Sequence, residues 1–312
     1  EALSNEPSIK NYITSSIERV SMSQAIELED VDENKIKEQL NIMFPEGLEL
    51  YPFQYVGLSF AEMAGGRCLI GDEMGIGKTI QAIAYSALHP YPPYIVICPS
   101  NVKYKWLPDK DVHVVKTGNE EIPMADYIII NYDLMTKQLD NLRSLGPACM
   151  IIDESHYLKN AKAKRTETTL TLASMCSVVL CLSGTAISSR PIEFFTTLNL
   201  LKRDQFPSEW DFKQRYCDAW HNGFGWDFKG ASNTKELNER TRDFVIRRLK
   251  SEVLPDLPPK VRTFLPVQLD KSQRQEYDQA MLDWNHQYEE YMNFGGMPKG
   301  FVLNMLTNLR HE

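Results

Sequence analysis

The sequence has no hydrophobic run long enough to cross a bilayer. Its longest apolar stretches, Tyr94 to Cys98 and Cys149 to Ile152, are far shorter than the roughly 20 residues that a membrane-spanning helix needs. The first residues also lack the basic and then apolar layout of a signal peptide. We therefore expect an intracellular protein without a membrane partner, nuclear if eukaryotic and cytoplasmic if bacterial or viral.

The sequence also lacks the spacings typical of zinc sites and disulfide frameworks. Its six cysteines occur singly, without a Cys-x-x-Cys pair, and its six histidines are dispersed. Most of the cysteines lie in apolar, strand-like segments, which favours buried thiols in a reducing compartment. No structural metal is predicted.

Positive charge is in short supply, because 34 Lys and Arg residues face 42 Asp and Glu residues and the net charge is −8. This balance excludes a protein that coats nucleic acid with its whole surface, since phosphate binding requires clustered basic residues. Local basic tracks remain, and each is either a solvated charged face or a contact to DNA phosphates. They are Lys103 and Lys105 beside two aromatic residues, 159–165 and 242–262.

The 312 residues, 43% of them hydrophobic, are enough for one large or two smaller globular domains. Residues 1–47 are polar with weak helical periodicity and form an N-terminal extension. Residues 48–201 alternate short apolar strands with helix-length stretches. Residues 202–263 are rich in aromatic residues and end in a proline-rich stretch, which indicates a helical insertion and brace. Residues 264–312 begin a linker or second lobe, with one long helix predicted from Asp270 to Tyr291.

Six short apolar runs within 48–201 are predicted to be strands. Because they show no polar alternation, they are expected to be buried on both faces, as in a parallel sheet covered by helices on each side. This is a doubly wound α/β fold, whose ligands bind at the carboxyl ends of the strands. The predicted strands are Arg67–Ile70, Tyr94–Cys98, Val112–Val115, Tyr127–Ile130, Cys149–Ile152 and Val178–Leu182.

A phosphate-loop sequence runs from Gly71 to Thr79 and reads GDEMGIGKT. It follows a predicted strand and precedes an apolar helix, the context in which Gly-Lys-Thr becomes a phosphate loop. Backbone N–H groups and the helix N-terminus form an anion cradle there. We expect Lys78 to reach the β- and γ-phosphates and the Thr79 hydroxyl to coordinate Mg²⁺. The generic pattern has glycine where this chain has Asp72, so the match is incomplete.

An acidic pair, Asp153 and Glu154, follows the fifth predicted strand. Carboxylates at a strand end can hold a metal ion and polarise an attacking water. We assign Asp153 to the Mg²⁺ shell and Glu154 to the water, so that Lys78, Asp153 and Glu154 are the predicted catalytic residues. By itself, the Asp-Glu-Ser sequence is also compatible with a polar cap on the next helix.

Two further motifs are informative only in combination with these. The amide of Gln54 can bond both the donor and the acceptor on adenine's edge, which favours ATP over GTP, although a lone glutamine is usually a surface residue. Ser183 and Thr185 follow the last predicted strand, where they either couple γ-phosphate sensing to Glu154 or simply form a turn. The predicted nucleotide-binding residues are Gln54, Asp72, Gly75, Ile76, Gly77, Lys78 and Thr79.

As a set, these motifs resemble the Swi/Snf-type ATPases of helicase superfamily two, and within them the HARP-like annealing-helicase branch. The family's loop usually reads Asp-(Asp/Glu)-Met-Gly-(Leu/Ile)-Gly-Lys-Thr, so Asp72 conforms to it. Further similarity lies in Cys98 to Ser100 and in the blocks 215–219, 225–227 and 247–254. One departure is Ala186, where the family usually has proline.

The resemblance implies the N-terminal RecA-like lobe of a DNA-dependent ATPase motor that uses Mg-ATP and translocates on, remodels or anneals DNA. DNA would be held by its backbone, without base reading. The family's second RecA-like lobe does not occur in these residues. The alternative is therefore a nucleotide- or partner-binding fragment that is inactive without that lobe, and an unrelated phosphate-loop protein is a third possibility. The implied DNA contacts are Ser100, Lys103, Lys105, Tyr132, Lys159 and Asn160.

Overall fold

The computed structural model describes most of the chain in two compact units, one ending at Leu257 and one beginning at Pro258. The departure at Ala186, most of the predicted N-terminal extension and most of 264–312 lie outside the described residues. The described residues are 34, 37, 38, 49–89, 92–106, 111–185, 190–221, 223–258, 263 and 270–294.

Seven parallel strands form one sheet in the first unit, in the order β3-β4-β2-β5-β6-β1-β9, and β7 and β8 form a separate antiparallel hairpin. All six predicted strands are confirmed, with ends that differ by no more than one residue. The two-residue β9 was not predicted. The strands are β1 (Arg67–Ile70), β2 (Tyr94–Cys98), β3 (Val112–Val114), β4 (Tyr127–Asn131), β5 (Cys149–Asp153), β6 (Val178–Leu182), β7 (Trp220–His221), β8 (Trp226–Asp227) and β9 (Val245–Ile246).

The central strands are buried on both faces, as their apolar sequences predict. Every residue of β2 and β4 is buried, and so is all of β5 except Asp153. Ile95, Ile128 and Ile151 are at most 1% exposed in the middle of the core. Burial of each such side chain contributes about 1.5–3 kcal/mol. The prediction of a parallel α/β sheet covered on both faces is confirmed.

Helices connect the strands, and two of them begin beside the phosphate loop. Pro52 starts α1, where its missing N–H costs nothing, and α2 starts at Lys78 directly after the loop. The predicted C-terminal helix is confirmed as α9, in the second unit. Among the described helices, none has the length and hydropathy needed to cross a membrane. The helices are α1 (Pro52–Met63), α2 (Lys78–Leu88), α3 (Tyr132–Ser144), α4 (Lys164–Ala173), α5 (Ile192–Leu201), α6 (Glu209–Tyr216), α7 (Thr234–Thr241), α8 (Lys250–Val253) and α9 (Lys271–Phe294).

Arg67 ties two helix ends together at the amino end of the sheet. Its guanidinium donates to the carbonyl oxygens of Cys176 and Leu200, each at 2.7 Å, just past the end of α4 and at the end of α5. Helix C-termini present carbonyl groups without intrahelical partners, and a cation satisfies them well. The sheet is thus anchored at the end opposite to the carboxyl ends of its strands.

The six cysteines are free thiols, and all are buried. Burial raises the pKa of Cys98, Cys176, Cys181 and Cys217 to about 12 and that of Cys149 to about 11. The pKa of Cys68 is also raised, chiefly by burial. The prediction of buried, unbridged thiols is confirmed.

Candidate nucleotide site

The phosphate loop joins β1 to α2 and depends on two glycines with left-handed backbone. Gly75 has φ 83° and Gly77 has φ 89°, a region that favours glycine. A Cβ atom on Gly77 would lie 2.4 Å from Nε2 of Gln54, so a side chain there would displace the Gln54 amide. Main-chain N–H groups of this loop and of the first turn of α2 can therefore cradle an anion.

Lys78 lies where three segments of the site meet. Its ammonium donates to the main-chain oxygens of Asp72 at 2.9 Å and Glu73 at 3.2 Å. The pKa of Lys78 is lowered from its ordinary value because burial disfavours the charged ammonium. The nearby carboxylates of Asp72, Glu154 and Asp153 offset only part of this effect. A Cβ atom on Gly184 would lie 3.3 Å from the same ammonium. The phosphate loop, the end of β5 and the loop after β6 are thus adjacent.

The acidic pair at the end of β5 has an unusual backbone. Glu154 has φ 52°, which is uncommon for a residue with a side chain. Its N–H donates to Oδ1 of Asp153 at 3.0 Å. Burial, and next the charge of Glu154, raise the pKa of Asp153 to about 6.

The side chain of Tyr132 supports the main chain of the acidic pair. Its hydroxyl donates to the main-chain oxygens of Asp153 at 2.6 Å and Glu154 at 3.2 Å. Its ring stacks on Tyr157, with the ring centroids 5.2 Å apart. These contacts hold the left-handed turn in place.

His156 connects Glu154 to the predicted coupling residues. Its Nδ1 lies 3.0 Å from the Glu154 carboxylate and 3.2 Å from the hydroxyl oxygens of both Ser183 and Thr185. The Thr185 N–H also donates to the Ser183 hydroxyl at 3.2 Å. The structure therefore brings Ser183 and Thr185 to Glu154 through a histidine to which the sequence alone gave no role. Its position two residues after Glu154 was the available signal.

Gln54 packs against the phosphate loop. The side chain is buried, and its amide N–H donates to the Ile76 carbonyl at 3.0 Å while its oxygen accepts from the Tyr51 N–H at 3.0 Å. Both polar ends of the amide thus contact the main chain of the protein. Recognition of adenine by Gln54 stays a prediction.

The side chain of Asp72 supports the loop from inside the protein, and a role of this residue in nucleotide binding stays a prediction. Its carboxylate is fully buried, forms an ion pair with Arg248 and accepts from the Gln81 amide at 3.2 Å. These partners use both carboxylate oxygens. The aspartate that departs from the generic loop is therefore needed to pair with an arginine from a distant segment.

Two of the predicted DNA contacts are wrong because the side chains are buried. Lys103 is 6% exposed, and its ammonium donates to the Val115 carbonyl at 2.8 Å and to the Asn131 side chain at 3.1 Å. Tyr132 is 3% exposed beneath the acidic pair. The other four candidates are exposed, lie after β2 and β5, and remain predictions. These are Ser100, Lys105, Lys159 and Asn160.

The residues around Lys78 fit magnesium bound together with a nucleotide. No group of three His, Cys, Asp or Glu side chains that could hold a metal ion occurs within the described ranges. Mg²⁺ typically takes one or two carboxylates, with nucleotide oxygens and water completing its shell. Thr79, in the first turn of α2, and Asp153 suit such a shell.

Comparison with known proteins agrees with this geometry. The mouse protein "DNA annealing helicase and endonuclease ZRANB3" is 37% identical over 257 residues, which are 76% of this chain and 24% of that protein. "SWI/SNF-related matrix-associated actin-dependent regulator of chromatin subfamily A-like protein 1" of Xenopus laevis is 39% identical over 264 residues, 80% of this chain and 26% of that protein. The chain thus spans about a quarter of the length of these relatives.

A solved structure and a family match complete the comparison. The structure titled "Sulfolobus solfataricus SWI2/SNF2 ATPase core in complex with dsDNA" has a TM-score of 0.57 and 23% identity, and covers 85% of this chain and 58% of that chain. It supports the α/β fold alone. The SNF2-related domain matches residues 53–311. The predicted resemblance to Swi/Snf-type proteins is confirmed, and the chain belongs to the SNF2-related domain family.

Proposed function

We propose that this chain is the ATP-binding and ATP-hydrolysing lobe of a DNA-dependent motor. The observation that carries the proposal is the convergence of Lys78, Glu154 and Thr185 in one site, where Lys78 lies near Glu154 and His156 links Glu154 to Thr185. They follow β1, β5 and β6, which are neighbours in the sheet, and Lys78 is reached through the phosphate loop. In open α/β sheets, this edge is where ligands bind.

The described residues divide the work of phosphoryl transfer between them. The loop N–H groups and Lys78 hold the phosphates, and Thr79 and Asp153 hold Mg²⁺, which when bound with nucleotide neutralises phosphate charge. Glu154 orients the attacking water. Because Tyr132 fixes the main chain beneath Glu154, the carboxylate keeps its position relative to Lys78.

The hydrogen bonds around His156 provide a path between the loop after β6 and the water-orienting carboxylate. Thr185 is exposed, whereas Ser183 is fully buried. A displacement of Thr185 would therefore change the partners of His156 and, through them, the orientation of Glu154. Such a path suits an ATPase whose turnover rate responds to the binding of DNA at its surface.

DNA is the proposed partner, held through its backbone. The relatives support this, since one is named as a DNA annealing helicase. Contacts to phosphates position a protein on DNA without reading sequence, as a translocating, remodelling or annealing motor requires. The contacts proposed here are the exposed Ser100, Lys105, Lys159 and Asn160.

A second candidate is that these 312 residues bind nucleotide or a partner without turning ATP over. The described part of the chain contains one seven-stranded sheet, and phosphoryl transfer commonly uses an arginine brought from another lobe or protein. A steady ATPase rate from this chain, lost on Glu154→Gln, would exclude this candidate.

The test is the ATPase rate of the full-length gene product at fixed salt, without DNA and with single-stranded, duplex or forked DNA. We expect DNA to accelerate hydrolysis, and Glu154→Gln to reduce the stimulated rate by about a thousandfold, within the range for general acid–base groups. Glu239→Gln, the same change on an exposed carboxylate of α7, should have no effect. Equal rates with and without DNA would contradict the proposal.

A further inference from the structure

The segment 244–250, here called the clamp, runs along the phosphate loop on the flank opposite to the acidic pair. In the sheet, β1 lies between β6 and β9, so the ends of β6 and β9 are on opposite sides of the loop. Main-chain hydrogen bonds continue past the strand, from the Gly71 N–H to the Ile246 oxygen at 2.7 Å and from the Glu73 N–H to the Arg248 oxygen at 2.9 Å. The clamp is therefore in register with the loop.

A buried ion pair fixes the clamp. Arg248 is 4% exposed and donates to the Asp72 carboxylate from its main-chain N–H at 3.1 Å, Nε at 3.0 Å and Nη2 at 2.5 Å. It also donates to the Gln81 side chain at 2.9 Å and to the Phe53 carbonyl. Such a pair is geometrically specific, and it positions whatever follows it in the chain.

Lys250 is the residue that this arrangement brings to the loop. Its N–H donates to the Glu73 carboxylate at 2.8 Å. A Cβ atom on Gly75 would lie 3.0 Å from its ammonium, so the charge lies directly against the middle of the anion cradle. Within the described contacts, the ammonium itself has no hydrogen-bond acceptor or ion-pair partner, although it is half-buried. A solvated surface lysine would not need the buried ion pair and the Glu73 hydrogen bond that hold Lys250 in this position.

We propose that Lys250 is a second phosphate-binding lysine, which contacts the nucleotide from the β9 flank. The inference rests on the proposed function, since it requires nucleotide in the loop. Glu154, assigned to the attacking water, and Ser183 and Thr185, assigned to γ-phosphate sensing, lie on the other flank. Lys250 therefore acts on the part of the polyphosphate that ATP and ADP share, and it contributes to the affinity for both.

The test is titration of the chain with Mg-ATP and Mg-ADP, using Lys250→Met and, as matched control, Lys235→Met on the exposed surface of α7. We expect Lys250→Met to weaken both nucleotides by about tenfold, the size of one charge-assisted hydrogen bond. Lys250→Arg should retain most of the affinity, and Lys235→Met all of it. The melting temperature of all three variants without nucleotide should equal that of the unaltered chain.

Three outcomes would overturn the inference. They are unchanged binding by Lys250→Met, a loss confined to Mg-ATP, or an equal loss in Lys235→Met. Lys78→Ala tests the proposed function in the same titration. If Lys78→Ala binds as tightly as the unaltered chain, or if the unaltered chain binds neither nucleotide, the phosphate loop is not the nucleotide site and both proposals fail. A neutral Lys250→Met beside a defective Lys78→Ala overturns only the role of Lys250.

Discussion

The two flanks of the phosphate loop are built in different ways. On the β9 flank, Asp72 and Arg248 form an ion pair that is almost completely enclosed. On the β5 and β6 flank, Glu154, His156 and Thr185 are joined by contacts of 3.0–3.2 Å and remain partly exposed. A buried ion pair is rigid because separating its two charges is costly. Exposed hydrogen bonds, in contrast, exchange readily with water. The β9 flank therefore fixes the phosphate loop, and the β5 and β6 flank can change its hydrogen bonds during turnover.

The largest effect on stability is expected from Arg248→Ala. The change leaves the Asp72 carboxylate buried without its charge partner, which should lower the free energy of unfolding by about 4 kcal/mol. Urea unfolding measures the change. Arg242→Ala, which removes an exposed partner of Asp243, should cost less than about 0.5 kcal/mol. A loss below about 1 kcal/mol in Arg248→Ala would show that the β9 flank is not the rigid one.

A double replacement sharpens the same comparison. Arg248→Met combined with Asp72→Leu removes both charges, and apolar substitutes for a buried ion pair often keep or improve stability. The protein should then unfold near the free energy of the unaltered chain. If stability is not recovered, the ion pair is not the source of the loss in Arg248→Ala.

Tyr132→Phe should have an intermediate effect, because it removes one hydroxyl beneath Glu154 and leaves the stacked ring in place. We expect the free energy of unfolding to fall by about 1 kcal/mol, and kcat to fall by about tenfold with KM unchanged. Tyr104→Phe, at a ring that is 69% exposed, is the control. A change confined to KM would show that Tyr132 affects nucleotide binding and does not position Glu154.

Thr185→Val should have the smallest effect on stability, below about 0.5 kcal/mol, because the side chain is exposed. It removes one partner of His156, so we expect DNA-stimulated hydrolysis to fall by about fivefold, the size of one hydrogen bond. Thr171→Val, which removes a hydroxyl on α4, should leave hydrolysis unchanged. Hydrolysis at the normal rate in Thr185→Val would show that Thr185 does not act on Glu154 through His156.

Local sequence pattern was sufficient for most of the fold. The six longer strands are apolar runs whose length and flanking residues distinguish them from helices. The two residues of β9 show no periodicity, and their place beside β1 depends on main-chain hydrogen bonds to a segment far earlier in the chain. The phosphate loop and the acidic pair were likewise predictable, because each is a contiguous motif.

Contacts between distant segments were not predictable. The Arg248 to Asp72 bond joins residues 176 positions apart, and the bond between His156 and Ser183 spans 27 positions. A motif shows which residue types are present but gives no information about which of them meet. Burial was missed for the same reason, since Lys103 has a basic, exposed neighbour in Lys105 and differs from it only in tertiary packing.

The buried thiols make the chain suitable for site-directed fluorescence labelling. Maleimides react with thiolates, and the six native cysteines are both enclosed and held as thiols near neutral pH by their raised pKa values. A cysteine introduced at the exposed Lys162, close to the proposed DNA contacts in sequence, would be alkylated against a nearly silent background. A dye placed there could report the approach of a labelled duplex in real time, with every native cysteine left in place.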